Sequence, residues 1–197
     1  MGTATERIII GVDPGTAVTG YAVVAQKGSM LRLITCGIIK AGKTETDHPL
    51  KLKKIFLGLR KIIEQYKPDE LAVEAPFYGK NVQNLLKLGR AQGVVMAAAL
   101  LRDIPVVEYA PRKIKQAVTG NGNAGKEQVS KMVQTILPEA RNTAALKVLD
   151  ASDALGVALC HAFQKSVAQA PVLKTSRTKK ASGWEAFALK NPERVMR

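Results

Sequence analysis

Residues 7–13, Arg-Ile-Ile-Ile-Gly-Val-Asp, constrain the fold most: a β-branched run, apolar on both pleat faces, that halts at Asp13 against Pro14-Gly15. A strand without a polar face needs a layer above and another below, so this one belongs in the middle of a covered sheet. Residues 20–26 and 31–39 are further strand-like runs joined through short glycine-containing turns, which predicts an antiparallel three-strand meander. After a loop with Gly42 and Asp47 the period changes. From Pro49 to Tyr66 the apolar positions Leu52, Ile55, Leu59, Ile62 and Tyr66 recur every three or four residues, an amphipathic helix ended by Pro68. Glu70 to Ala75 reads as another short buried strand, Asn81 to Arg102 as a long helix, and Pro105 to Tyr109 as a strand opened by proline. Two or three helices complete the order. The later strands need helical crossovers to pair in parallel, so the expectation is an α/β fold with a mixed sheet of about five strands, flanked by helices.

Asp13 ends its strand with no polar residue after Arg7 before it, and Glu74 ends Leu-Ala-Val-Glu ahead of Ala75-Pro76 in the same manner. Either alone has an ordinary explanation, as a turn-starting Asp or a Glu paired with a nearby Lys. Two carboxylates ending two buried strands call for more, because an unpaired buried carboxylate finds a cation or neutralises. Asp150 and Asp153 open the apolar helical run Ala154 to Leu159 at i and i+3, on one helix face. Helix capping accounts for one of them. Jointly, two strand-end carboxylates and an Asp pair on a late helix converge on one point above the sheet, and all-oxygen ligands select Mg²⁺ or Mn²⁺ over zinc.

The 197 residues carry a net charge of +14, which favours a polyanionic partner. The longest apolar run, Val94 to Leu101, is far short of the roughly 20 residues that span a bilayer, and residues 1–6 hold no apolar signal core. A cytoplasmic protein with no membrane association is expected. Cys36 and Cys160 show no ligand spacing and read as reduced core thiols. Beyond Gln164 the last 33 residues carry eight Lys or Arg against two Glu, with only Trp184, Phe187 and Leu189 able to bury surface. One domain over 1–164 and a basic tail over 165–197 are therefore expected.

Gly11-Val-Asp13-Pro-Gly15 with Thr19-Gly20, then Glu74, the segment Lys87-Leu-Gly89 to Gly93, and Asp150 to Asp153 resemble the RuvC family of Holliday junction resolvases, RNase H-like in fold. The resemblance spans roughly residues 7–163, in order and with close spacing. It implies a homodimeric, Mg²⁺-dependent endonuclease that cuts two strands of like polarity symmetrically at a four-way DNA junction. It also implies cooperation with the RuvA and RuvB branch-migration machinery. Asp13, Glu74, Asp150 and Asp153 match its metal-site carboxylates, and the fitting mechanism is two-ion phosphodiester hydrolysis with Asp13 shared between the ions.

Beside Glu74, Phe77 and Tyr78 lie in a loop with Pro76, Gly79 and Lys80, where an exposed aromatic can stack on an unpaired base for about 1–3 kcal/mol. The residue matching Phe77 in the resembled family sits at the strand exchange point. Arg112, Lys113 and Lys115 form a basic cluster and Lys126 follows a glycine-rich loop; the family match at Lys115 and Lys126 points to phosphate contacts. The loop from Gly120 to Lys126 imitates two nucleotide-binding patterns by letters alone. Glu127 stands where a P-loop needs Ser or Thr, and a helix-like segment from Arg112 to Val118 precedes the loop where a dinucleotide site needs a strand. His48, in a polar loop, and His161, in the last apolar helix, read as structural. An RNA- or hybrid-cutting nuclease, an actin-like ATPase carrying Asp13-Pro-Gly15-Thr16 as a phosphate loop, and a non-catalytic DNA-binding protein are the rival classes. The ATPase reading fails on length and leaves Asp150 and Asp153 unexplained.

Overall fold

The computed structural model of the chain describes residues 5–42, 47–76, 81–142 and 149–164, so the expected basic tail and the Phe77 to Lys80 loop lie outside the described residues. Five strands, β1 (Arg7–Asp13), β2 (Val18–Lys27), β3 (Met30–Lys40), β4 (Glu70–Glu74) and β5 (Val106–Tyr109), form one sheet in the order β3-β2-β1-β4-β5. The β1–β2 and β2–β3 pairs are antiparallel; β4 joins β1, and β5 joins β4, in parallel. This is the expected mixed sheet, with strand ends displaced by a residue or two. The fully apolar β1 stands at its centre.

The helices are α1 (His48–Tyr66), α2 (Val82–Leu100), α3 (Pro111–Thr119), α4 (Lys126–Ile136) and α5 (Leu149–Ala162), with a 3₁₀ turn over Pro138–Asn142 before α5. His48, expected in a loop, is the first residue of α1, because Pro49 suits the first helical turn. Lys67 ends α1 in the left-handed region, φ 46°, ahead of Pro68. The helical start of the Pro111 segment holds, with Gly120 closing α3 at φ 77°. Both thiols are buried and free, and no described helix is long and apolar enough to cross a membrane.

Side-chain alternation along the strands sorts the core into two faces. Ile10, Val12, Val23, Leu71 and Val73 pack with Ile55, Leu59, Val95 and Ala99 of α1 and α2. Ile9, Ala22 and Val24 pack with Leu155, Ala158 and Leu159 of α5 and Val133 of α4. The same parity puts Asp13, Gly11 and Arg7 beside Ile9, and Glu70 and Glu74 beside Ala72, all on the α5 face.

Helix α5 lies on that face closely enough to touch backbone. A Cβ built on Gly20 would fall 1.9 Å from the Asp150 carbonyl oxygen, and one on Gly11 would fall 2.4 Å from that of Ala154. Gly20 pairs with Asp13 across the β1–β2 ladder, so α5 begins above the end of β1 that carries Asp13. At the other end, the Ala162 carbonyl accepts from Gln26 at 3.0 Å, and Gln26 pairs with Arg7. The helix thus runs antiparallel to β1 along its length.

Gly20→Ala should lower stability by about 1–3 kcal/mol, since the added methyl meets rigid backbone. Gly156→Ala should act oppositely, raising stability by up to about 1 kcal/mol through helix propensity, because its Cβ would sit an ordinary 3.6 Å from Ile114 and 3.7 Å from Val129. Urea unfolding of the two variants beside the parent checks both signs.

Candidate active site

Parallel pairing aligns the C-terminal ends of β1 and β4, with Val12 opposite Val73, so Asp13 and Glu74 emerge side by side and on the same face. The turn after Asp13 is tied locally: buried Thr19 donates its hydroxyl to the Gly15 carbonyl at 2.9 Å, and the Gly15 amide approaches the same hydroxyl at 3.3 Å. From above, the first turns of α5 bring Asp150 and Asp153 to this pair. The Asp153 side chain is 20% exposed and accepts a hydrogen bond from Lys126 Nζ at 3.0 Å.

The electrostatics are those of crowded anions. Burial, then repulsion by Asp153 and Asp150, pushes the Asp13 pKa up to about 6, against the pull of Lys126 and a hydrogen bond with Glu74. Glu74 is pushed up to about 8 by burial and by Asp13 and Asp153, with Lys126 and Lys115 opposing. Lys126 moves upward in turn, chiefly through its hydrogen bond to Asp153. At Asp13 and Glu74, burial and carboxylate repulsion thus outweigh the nearby lysines. Among the described residues, no three of His, Cys, Asp and Glu close to the spacing of metal ligands. Mutual repulsion and the lysine on Asp153 both work against that closure, and a divalent cation would reverse the first and compete with the second.

An open cleft of about 580 Å³ gathers Asp13, Glu74 and Asp153 with Arg112, Lys115 and Lys126. The structure thus brings three of the four expected carboxylates and three of the expected basic residues to one wall-to-wall site. Asp150 sits beside them, close enough to raise Asp13, although it does not line the cleft. Phe77 and Lys80 lie outside the described residues. Gly122 and Asn123, in the loop that connects α3 to α4, also line the cleft, so the glycine-rich loop before Lys126 faces the carboxylates. Sequence reasoning missed Glu70: fully buried, it bonds the equally buried His161 at the far end of α5. Its signal was available, since Glu70 and Glu74 share strand parity.

A mixed sheet of this order, with carboxylates at the ends of its central parallel pair and a third element closing over them, is the RNase H-like arrangement. The profile of one family, Crossover junction endodeoxyribonuclease RuvC, matches residues 9–161, and the chain belongs to that family. A relative from Cytophaga hutchinsonii bearing that description is 53% identical over 190 residues, 96% of this chain and 88% of its own. One from Bacteroides fragilis is also 53% identical, over 96% of each chain. Among solved structures, Thermus thermophilus RuvC in complex with a Holliday junction substrate superposes with a TM-score of 0.72 at 34% identity, over 80% of this chain and 93% of that one. A yeast mitochondrial Holliday junction resolvase, at 12% identity, TM-score 0.54 and coverage of 78% and 79%, shares the fold.

Both shifted carboxylates hold protons more tightly in the folded chain than in an unfolded one. The stability this provides is full below their ordinary values of 3.8 and 4.5 and is lost as pH rises through about 6 and about 8. In EDTA, Glu74→Gln should therefore raise the thermal midpoint in alkaline buffer, by about 2–4 °C per kcal/mol of repulsion relieved, and leave it nearly unchanged in acid. Melting curves across pH with chelator check this; equal midpoints in alkali would contradict the crowding.

Proposed function

We propose that this chain is a Mg²⁺-dependent endonuclease that resolves four-way DNA junctions by paired, symmetric cuts, using Asp13, Glu74, Asp150 and Asp153 to hold its cations. Convergence carries the reading: carboxylates from two strand ends and one helix start gather in a cleft whose remaining charged groups are cationic. Clustered oxygen-only donors fit a hard divalent ion, Mg²⁺ or Mn²⁺. Two such ions, when bound, lower the pKa of an attacking water and stabilise the leaving 3′ oxygen.

Within that reading each side chain has a task. Asp13, on the central strand, would be shared between the ions, with Glu74 holding one and Asp150 with Asp153 the other. Lys126, which sits on Asp153 at the cleft, would contact the phosphate beside the scissile bond. Arg112 and Lys115 on α3 hold the DNA backbone along the opposite wall, contacts that position the strand without reading its sequence. Phe77 is assigned to stack at the exchange point with Lys80 beside it. The domain over 1–164 carries the chemistry.

Paired cuts in a junction of approximate two-fold symmetry need two sites related by a two-fold axis, hence two copies. The α2 helix supplies a face for this. Its core side holds Ala91, Val95, Ala98 and Ala99, whereas Val82, Leu86 and Leu100 are 64%, 51% and 57% exposed, with open space over Gly89 and Gly93 between them. Resemblance to the family adds RuvA and RuvB as partners.

Labelled junction, linear duplex and RNA–DNA hybrid, each with Mg²⁺ or EDTA, test the substrate: cutting confined to the junction and to Mg²⁺ is expected, and preferential cutting of the hybrid would overturn it. Asp13→Asn should abolish cleavage while junction binding stays nearly intact, checked by gel shift; normal cleavage by that variant would remove the metal assignment. Leu86→Glu should give a monomer by sedimentation and replace paired cuts with isolated nicks.

A further inference from the structure

The far end of α5 is held by a ring of polar contacts that the cleavage chemistry does not touch. The Tyr109 hydroxyl on β5 lies 2.8 Å from His161 Nδ1, and His161 Nε2 bonds the Glu70 carboxylate on β4. Glu70 Oε2 accepts from Arg7 Nη1 on β1 at 3.2 Å, and Arg7 Nη2 donates to Gln26 Oε1 on β2 at 2.6 Å. Gln26 Nε2 donates to the Ala162 carbonyl at 3.0 Å, with Arg7 Nη2 at 3.4 Å from the same oxygen, which returns the ring to α5. Four strands and one helix are joined in a loop whose central members, Glu70 and His161, are fully buried. One assignment of hydrogens satisfies both ring nitrogens: Nε2–H donates to Glu70, and Nδ1 accepts from the Tyr109 hydroxyl.

Elsewhere α5 meets the sheet through apolar or backbone contact, at Gly11, Gly20, Ala154, Leu155, Ala158 and Leu159. Such contacts hold the helix down, but the burial that drives them is non-directional and fixes its axial position and roll less sharply. Hydrogen bonds are directional and fix both. A helix is stiff, so a displacement at His161 reaches Asp153, about 12 Å away at 1.5 Å per residue, with little loss. We propose that His161, with Tyr109, Glu70 and Arg7, forms a positioning device that sets the axial placement and roll of α5, and thereby the placement of Asp150 and Asp153 against Asp13 and Glu74. The proposal rests on the reading of those four carboxylates as the cation site.

The test uses the full chain with Tyr109→Phe, which removes one hydroxyl, Glu70→Leu, which removes the acceptor, and Glu70→Gln, which restores an acceptor oxygen. Mn²⁺ binding without DNA is measured by calorimetry, and junction cleavage is followed across a Mg²⁺ titration at a temperature where every variant is folded by circular dichroism. Tyr109→Phe and Glu70→Leu should weaken Mn²⁺ binding and raise half-saturating Mg²⁺ by about tenfold or more, as supporting contacts around metal sites do, while junction affinity in EDTA is unchanged. Glu70→Gln should recover most of the loss. Folded variants with lower thermal midpoints but parental Mn²⁺ affinity and Mg²⁺ dependence would overturn the proposal, reducing the ring to a structural brace. If the parent binds Mn²⁺ yet cuts no junction, the nuclease reading falls instead, and the calorimetric comparison still decides the positioning role.

Discussion

The close seating of α5 on one pleat face is the constraint from which the site follows. Asp13 and Glu74 reach the same face because parallel strands with aligned ends share parity, but two strand ends cannot surround a point above the sheet. The third side has to come from an element lying on that face, and a helix at ordinary separation would leave its Asp pair too high. Gly11 and Gly20 remove the side chains that would hold α5 off, letting helix backbone rest on strand backbone beside Asp13. From the helix side Ala154 and Ala158 meet Gly11, and the backbone of Asp150 and Ala151 meets Gly20. Packing and chemistry are therefore one problem here: the contact that buries the core face also brings the carboxylates together.

That gathering is unfavourable by itself, and the molecule shows the strain in its protonation. Asp13 is driven upward by burial and by the Asp153 and Asp150 carboxylates, Glu74 by burial, Asp13 and Asp153, and the two share a hydrogen bond that a proton must supply. Lys126, from the first turn of α4, offsets part of the charge through Asp153 but stays largely exposed and cannot neutralise four carboxylates. A fold stabilised elsewhere can sustain such crowding, which a bound divalent cation would relieve. The net charge of +14 acts at a different scale, drawing in a polyanion whose phosphates the carboxylates alone would repel.

Legibility from sequence follows the range of the interaction. Strands β1 and β4, the amphipathic α1 and the buried α5 were readable because burial leaves a local period, and Asp13 and Glu74 stood out as polar residues ending apolar runs. The glycines at 11 and 20 were visible as part of a resemblance, yet their physical reason, backbone meeting backbone, depends on residues from 150 onward. Lys126 on Asp153 joins positions 27 apart, and His161 on Glu70 joins positions 91 apart. No local pattern encodes such pairings, so His161 read as an isolated core histidine and Glu70 passed as the first residue of a strand. His48 was misplaced for the opposite reason: a polar residue before Pro49 is as compatible with a helix start as with a loop.

The two ends of α5 solve opposite electrostatic problems with the same kinds of residue. At the first turn, Asp150 and Asp153 face two more carboxylates, and the imbalance leaves room for a cation. At the last turn, Glu70 faces Arg7 and His161, and Tyr109 with Gln26 take the remaining hydrogen bonds, so the charge is balanced with no external partner. Burial pushes His161 toward its neutral form even beside Glu70, which agrees with a ring that needs Nδ1 as an acceptor. A balanced polar cluster in a core is seldom more stable than an apolar one of equal volume. What it adds is direction, and an active site that must hold like charges together depends on direction more than on adhesion, because repulsion will exploit any freedom the helix retains.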